Sequence, residues 1–147
     1  MNTLIRIASV VLVACLPAAA AGTDLQDLLQ PHRISGARVN LNPWGPHLGL
    51  EMELAGDDPR VEALVAVIRG AKRGGGHKCA NAGAIRFRME DGSVVGVGLL
   101  PSHKEGFYEL RLYDGEDFVA AYRVDRASLL AALEDFGLPL DDPAFRK

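Results

Sequence analysis

The sequence predicts an α+β domain in which an antiparallel sheet of about six strands carries two main helices on one face. Three features predict this class. Stretches of alternating apolar and polar residues lie before residue 56, two Asp-Gly pairs interrupt similar stretches after residue 83, and apolar residues at helical spacing follow each group. Segregated runs of strands and helices are typical of α+β domains. The expected order of elements is ββαββββα.

The first 21 residues have the pattern of a secretory signal peptide. A positive charge at Arg6 precedes an apolar run of about ten residues and a small-residue stretch that ends at Ala21. This run is well short of the ~20 residues that a transmembrane helix requires. We therefore expect an exported protein, periplasmic or secreted, with a single domain over residues 22–147. The alternative is a membrane-anchored lipoprotein, because the tetrad LVAC resembles a lipoprotein box that would be lipidated at Cys15.

The charge of the chain disfavours nucleic acid as a partner. The formal net charge is -3, and removal of residues 1–21 takes away Arg6 and no acidic residue, which gives about -4. Nucleic-acid-binding domains usually carry a basic balance. We therefore expect no nucleic-acid partner.

Alternation predicts a first hairpin before residue 56. With a turn at residues 43–46, Val39 faces Leu50 in the core, while Arg38 faces Glu51 on the outer surface. One register thus satisfies both faces of the hairpin.

Capping signals predict the helices. A short helix should stop at Pro31, since proline cannot continue a helix. Asp58 precedes Pro59 at the start of the next helix, and the triple glycine at residues 74–76 should end it. Asp125 should cap the last helix, which Gly137 can terminate. The apolar stripe of the second helix comprises Val61, Leu64, Val65 and Ile68.

The two Asp-Gly pairs predict two further hairpins. A two-residue turn at Asp91-Gly92 pairs Glu90 with Ser93 and sets Phe87 opposite Gly96. Ile85 then lies opposite Gly98, so large residues would cover small ones on the buried face. The pair Asp114-Gly115 marks the other turn.

The stretch GGGHKCANAG contains the candidate metal ligands His77 and Cys79. In an extended segment, residues two positions apart point to the same side, and imidazole and thiolate suit Cu(I) or Zn(II). His103 is the candidate third ligand, although no sequence spacing brings it near the other two, and His32 and His47 are more remote. We expect no cofactor other than a copper or zinc ion at this candidate site.

Other roles for Cys79 remain open. A free cysteine often behaves as a small buried hydrophobe, and in an oxidising compartment an exposed one would form a disulfide with another molecule. A catalytic thiolate is a further alternative, although no signature of a cysteine hydrolase surrounds it. We expect Cys79 to be at least partly shielded.

A second candidate site is the solvent side of the predicted sheet. Arginine and tyrosine are enriched in protein interfaces, so this face could receive an acidic partner. The alternative is cross-strand pairing with Glu90, Glu109 and Glu116. The candidate partner residues are Arg86, Arg88, Arg111, Tyr113 and Arg123, and Tyr122 is expected on the same side.

These patterns favour a small exported binding module over an enzyme, because no set of acid, base and nucleophile is recognisable. Such a module would act as an inhibitor or accessory protein. Its expected partner is an envelope or extracellular protein. The alternative function is a periplasmic metal-handling protein that uses His77 and Cys79.

Overall fold

The computed structural model describes residues 24–41, 50–76, 78–100 and 106–137. Within these ranges it confirms the α+β class, with one antiparallel sheet of seven strands and three helices. The elements are α1 (Leu25–Leu28), β1 (Ile34–Leu41), β2 (Leu50–Ala55), α2 (Pro59–Arg69), β3 (Lys72–Arg73), β4 (Gly83–Met89), β5 (Val94–Leu99), β6 (Phe107–Asp114), β7 (Asp117–Asp125) and α3 (Arg126–Leu133). Short 3-10 turns lie at Pro31–Arg33 and Glu134–Phe136.

The strands lie side by side in the order β2-β1-β4-β5-β6-β7-β3. β3 is the strand that the sequence did not predict. The chain turns at Gly70 after α2, and Lys72 and Arg73 then pair with Arg123 and Tyr122 of β7. A helix that continued to the triple glycine would have included both residues, and they extend the edge of the sheet instead.

One face of the sheet, the inner face, packs with the helices into a single apolar cluster. Strand residues alternate between this face and the opposite, outer face, which matches the period of two expected for strands. α3 contacts β6, β7 and α2. Among the described residues, none of the helices has both the length and the apolar character needed to cross a membrane. The predicted stripe of α2 is fully buried, and it comprises Val61, Leu64, Val65 and Ile68.

Side chains cap both main helices where the sequence predicts. Asp58 Oδ1 accepts a hydrogen bond from the Arg60 N–H at 2.9 Å, and Asp125 Oδ2 accepts one from the Ser128 N–H at 2.8 Å. α2 ends earlier than expected, at Arg69, so the triple glycine is not what terminates it.

The first hairpin has a register two residues away from the predicted one. Val39 faces Met52 instead of Leu50, and Arg38 faces Glu53 instead of Glu51. The predicted turn lies in residues 42–49, outside the described residues. A shift of two residues leaves every side chain on its predicted face, because the side-chain period of a strand is two.

The second hairpin differs by one residue, and this difference changes the faces. Phe87 lies opposite Val95, and Arg86 lies opposite Gly96. The predicted covering of large residues by glycines is therefore wrong, since Gly96 and Gly98 belong to the outer face. The inner pairs Ile85–Val97 and Phe87–Val95 each join two large residues.

The turn itself explains the shift of one residue. The Met89 N–H donates to Ser93 O at 2.9 Å, and the Gly92 N–H donates to Met89 O at 3.0 Å, which makes a three-residue loop. Gly92 has φ +83°, as the last residue of such a loop requires. Asp91 Oδ1 accepts a hydrogen bond from the Ser93 N–H at 2.9 Å and so stabilises the loop.

Candidate functional site

The connection between β3 and β4 crosses the outer face of the sheet, and we call residues 74–82 the strap. β3 lies at one edge, and β7, β6 and β5 separate it from β4. The Gly74 N–H donates to Ala121 O at 3.0 Å, and the Gly76 N–H donates to the outward Glu109 Oε2 at 3.3 Å. The strap therefore lies against outward groups of β6 and β7.

Asn81 holds the far end of the strap on the central strand β5. Arg111 Nη1 donates to Asn81 Oδ1 at 3.3 Å, and the Ala82 N–H donates to Leu99 O at 2.7 Å. Asn81 Nδ2 would lie only 2.5 Å from a β-carbon at position 98. A β-carbon at position 98 would therefore require the Asn81 side chain to move.

Two adjoining cavities lie beside Asn81, and we call them together the outer groove. They share Asn81, Ala84 and Arg86. The first has a volume of about 350 Å³ and is lined by Arg38, Asn40, Asn81, Ala82, Gly83, Ala84 and Arg86. The second has a volume of about 260 Å³ and is lined by Asn81, Ala84, Arg86, Gly96, Val97, Gly98, Tyr113, Gly115 and Glu116.

The floor of the second cavity is the backbone of β5. Gly96 lies between Arg86 on β4 and Tyr113 on β6, and it contributes no side chain. Tyr113 packs edge-on against Phe118, with ring centroids 6.0 Å apart. Phe118 is 59 % exposed, although most large apolar side chains in the described residues are covered. The groove thus has a cationic wall and an aromatic wall.

The two arginines of the groove differ in their partners. Arg38 hydrogen-bonds to Glu51 and lies 3.6 Å from Glu53 Oε1, and the hydrogen bond to Glu51 raises the pKa of Arg38 above its usual value. Arg86 is opposite Arg38 in the register. Within the described residues Arg86 makes no ion pair or side-chain hydrogen bond, so its charge is available to a ligand.

The five predicted partner residues all lie on the outer face, but they do not form one cluster. Arg86 and Tyr113 line the outer groove, and Arg111 holds its Asn81 wall. Arg88 lies 3.5 Å from Glu53, which is a cross-strand ion pair of the kind expected as the alternative.

Arg123 stands apart from the groove. It lies 3.8 Å from Glu109 Oε1, and its guanidinium stacks over the ring of Phe107 at 4.8 Å. It therefore serves the packing of β6 against β7.

Tyr122 was expected on the solvent side, and this expectation is wrong. Its side chain is 2 % exposed and belongs to the inner face. Its hydroxyl donates to Asp24 Oδ1 at 3.0 Å and accepts from the Leu25 N–H at 3.2 Å. Tyr122 thus anchors α1 to the sheet.

The candidate metal ligands are only partly described. Cys79 lies on the strap and is half-buried, as expected for a shielded thiol. His77 and His103 lie outside the described residues, as does His47, while His32 is exposed. Among the described residues there is no group of three His, Cys, Asp or Glu side chains that could hold a metal ion. The convergence of His77, Cys79 and His103 stays a prediction.

Comparison of the chain with protein-family models, curated proteins and solved structures gives no significant match.

Sequence reasoning missed the contribution of three residues to the outer groove. The alternation of β1 already places Arg38 and Asn40 outside, so a charge map of that strand would have found them. Asn81 gave no such signal, because its position depends on the strap crossing the sheet.

Proposed function

We propose that the protein is a small exported binding module of the cell envelope, and that the outer face of its sheet receives an acidic protein partner. The observation that carries the proposal is the outer groove, in which Arg86, without an ion pair among the described residues, lies beside a backbone floor and an aromatic pair. A binding site needs a shape and a charge that complement the partner. The groove provides two adjoining cavities and the positive charge of Arg86.

Charge supports an acidic partner. The whole chain has a formal net charge of -3, whereas the described lining of the groove holds two arginines, Arg38 and Arg86, and one carboxylate, Glu116. Arg38 and Arg86 are directly opposed on neighbouring strands, and like charges in this position destabilise a sheet. Glu51 and Glu53 offset the charge of Arg38, whereas Arg86 makes no ion pair within the described residues.

The aromatic wall supports a protein as the partner. Tyrosine and arginine are the residues most enriched among those that dominate binding energy in protein interfaces. Tyr113 is half-buried next to the exposed ring of Phe118. An apolar side chain of a partner could cover both rings and remove Phe118 from water.

A pull-down from envelope extract with two charge-reversal variants tests this function. Arg86→Glu should lose a stoichiometric partner that the wild type retains. Arg73→Glu makes the same charge change at an exposed position on the edge strand β3, away from the groove, and should keep the partner. Retention of the partner by Arg86→Glu would contradict the proposed surface.

The alternative function, metal handling, has its own test. The observation that favours it is the position of Cys79 on the strap, where a half-buried thiol follows His77 by two residues. Copper and zinc titration of the wild type, Cys79→Ser and His77→Ala measures the site directly. Equal affinities in all three proteins would discard this function.

A further inference from the structure

The first cavity of the outer groove has the composition of an anion site. Its polar side chains belong to Arg38, Asn40, Asn81 and Arg86, and no carboxylate lines it in the described part of the chain. Guanidinium groups are donors only, and each side-chain amide brings two donors. A ligand atom that enters this cavity therefore meets mainly hydrogen-bond donors.

The donors that remain available are those of Arg86 and Asn40 and the amide nitrogen of Asn81. Arg38 is engaged by Glu51, and Asn81 accepts from Arg111 through Oδ1, which leaves its amide nitrogen. In the described part of the chain, the side chains of Arg86 and Asn40 have no hydrogen-bond partner. Arginine binds carboxylates in a bidentate manner, with two parallel N–H···O bonds.

The second cavity adds an aromatic wall and a glycine floor to the same groove, with Glu116 also in its lining. It shares Asn81, Ala84 and Arg86 with the first cavity, so one ligand can occupy both. Its floor is Gly96, and its wall is the ring of Tyr113. A flat or apolar group fits between this floor and this wall.

We propose that the outer groove binds an extended acidic segment of the protein partner. A carboxylate of the segment pairs with Arg86 in the first cavity, and a neighbouring apolar or aromatic side chain lies on Gly96 against Tyr113. This inference rests on the proposed function and specifies which part of the partner the groove binds.

The width of the sheet sets the spacing of the two recognised side chains. Arg86 on β4 and Tyr113 on β6 are separated by one strand, so they lie about 9.5 Å apart at a strand spacing of about 4.8 Å. An extended chain advances about 3.3 Å per residue. The acidic and apolar residues of the segment should therefore be two or three positions apart.

A free phosphate or similar small anion is the less suitable occupant. It would fill the cationic half and leave the aromatic wall and the bare floor uncovered. Only a ligand that joins a carboxylate to an apolar group uses both cavities.

The test uses blocked hexapeptides with acetylated and amidated ends, each with one glutamate and one phenylalanine two or three positions apart. Binding to the full chain is followed by NMR, from the Arg86 Nε–H signal and the backbone amides of Gly96 and Gly98. Replacement of glutamate by glutamine in the peptide should weaken binding about tenfold, or about 1.4 kcal/mol, because the neutral amide cannot form a charge-assisted pair with Arg86.

Protein variants distinguish the contributions of the two cavities to peptide binding. Arg86→Gln should give the same loss for the glutamate peptide and no further loss for the glutamine peptide. Gly96→Ala should weaken the phenylalanine peptide more than an alanine analogue, because a methyl group raises the floor. Arg73→Gln should bind like the wild type, and amide spectra of each variant check that it is folded.

Three outcomes would overturn the inference. These are equal binding of the glutamate and glutamine peptides, unchanged binding by Arg86→Gln, and inorganic phosphate that binds at Arg86 as tightly as the glutamate peptide. If any of these occurs while Arg86→Glu still loses the partner in the pull-down, the inference fails and the proposed function stands. Retention of the partner by Arg86→Glu would remove the proposed function itself.

Discussion

The side-chain amide of Asn81 fills the space in which Gly98 would carry a β-carbon, with Nδ2 only 2.5 Å from that position. Asn81 belongs to the strap, and Gly98 belongs to the central strand of the sheet. This contact joins the loop that contains Cys79 to the face that contains the predicted partner arginines. The loop with Cys79 and the face with the partner arginines, which the sequence treats as separate candidate sites, thus share one surface.

Substitution of Gly98 should therefore release the strap. Gly98→Ala places a methyl group where Asn81 lies, so Asn81 must move and its hydrogen bond with Arg111 should break. We expect the half-buried thiol of Cys79 to react faster with a thiol reagent in the folded variant than in the wild type.

Gly96→Ala is the matched control for this experiment. It lies on the same strand and face, but its β-carbon would meet Tyr113 Cβ at 3.3 Å, and the three atoms nearest to it all belong to Tyr113. Labelling of native Cys79 should be unchanged in this variant. Equal rates in Gly98→Ala and the wild type would show that Asn81 does not hold the strap in place.

The hydroxyl of Tyr122 should stabilise the attachment of α1. Tyr122→Phe removes the hydrogen bonds to Asp24 and to the Leu25 N–H, and burial of the ring keeps water from replacing them fully. We expect the free energy of unfolding in urea to fall by about 1 kcal/mol. Tyr113→Phe removes a hydroxyl without a hydrogen bond among the described residues, and should leave the free energy nearly unchanged. A similar loss in both variants would contradict the anchoring role.

The class of the fold was predictable because local signals agree with one another. Asp58 and Asp125 are N-caps that act within three residues of the chain, and alternation predicts the buried side of β1, β2, β4 and β6. These features depend on nearest neighbours alone. The α+β class follows from them without knowledge of how distant elements pack.

The register and the site were less predictable, because they depend on loop length and strand order. The pair Asp91-Gly92 does not determine whether its loop has two or three residues. The third loop residue shifts the register by one position and places Gly96 on the outer face. The position of Asn81 depends on β3 lying at the edge of the sheet. Such long-range information is absent from the local pattern, so the outer groove could not be assembled from the sequence.

The corrected register of the second hairpin predicts where substitutions are costly. Phe87 is fully buried opposite Val95, so Phe87→Ala should lower the free energy of unfolding by about 3–5 kcal/mol. Phe118→Ala removes the same ring from an exposed position and should change stability little. Urea unfolding of both variants measures the contrast, and comparable losses would place Phe118 in the core.

Acid should weaken the fold partly through the caps of its helices and of the hairpin loop. Hydrogen bonds from Arg60 lower the pKa of Asp58 to about 2, and those from Ser93 and Ser128 lower the pKa values of Asp91 and Asp125. An unfolded aspartate has a pKa of about 3.9. Because the folded-state values are lower, these carboxylates stabilise the fold above about pH 4 and lose this contribution in acid, which for Asp58 disappears as the pH falls towards about 2.

Asp58→Asn isolates one of these contributions. Asparagine still caps a helix, but it does not titrate and cannot pair with the guanidinium of Arg60. The free energy of unfolding in urea, measured at pH 5, 4, 3 and 2, should therefore fall less steeply in Asp58→Asn than in the wild type. Asp57→Asn removes an adjacent exposed carboxylate that makes no hydrogen bond in the described residues, and should keep the wild-type slope. If Asp58→Asn also kept that slope, the cap would not be a source of the acid sensitivity, and the loss of stability would have to come from the carboxylates at Asp91, Asp125 or elsewhere.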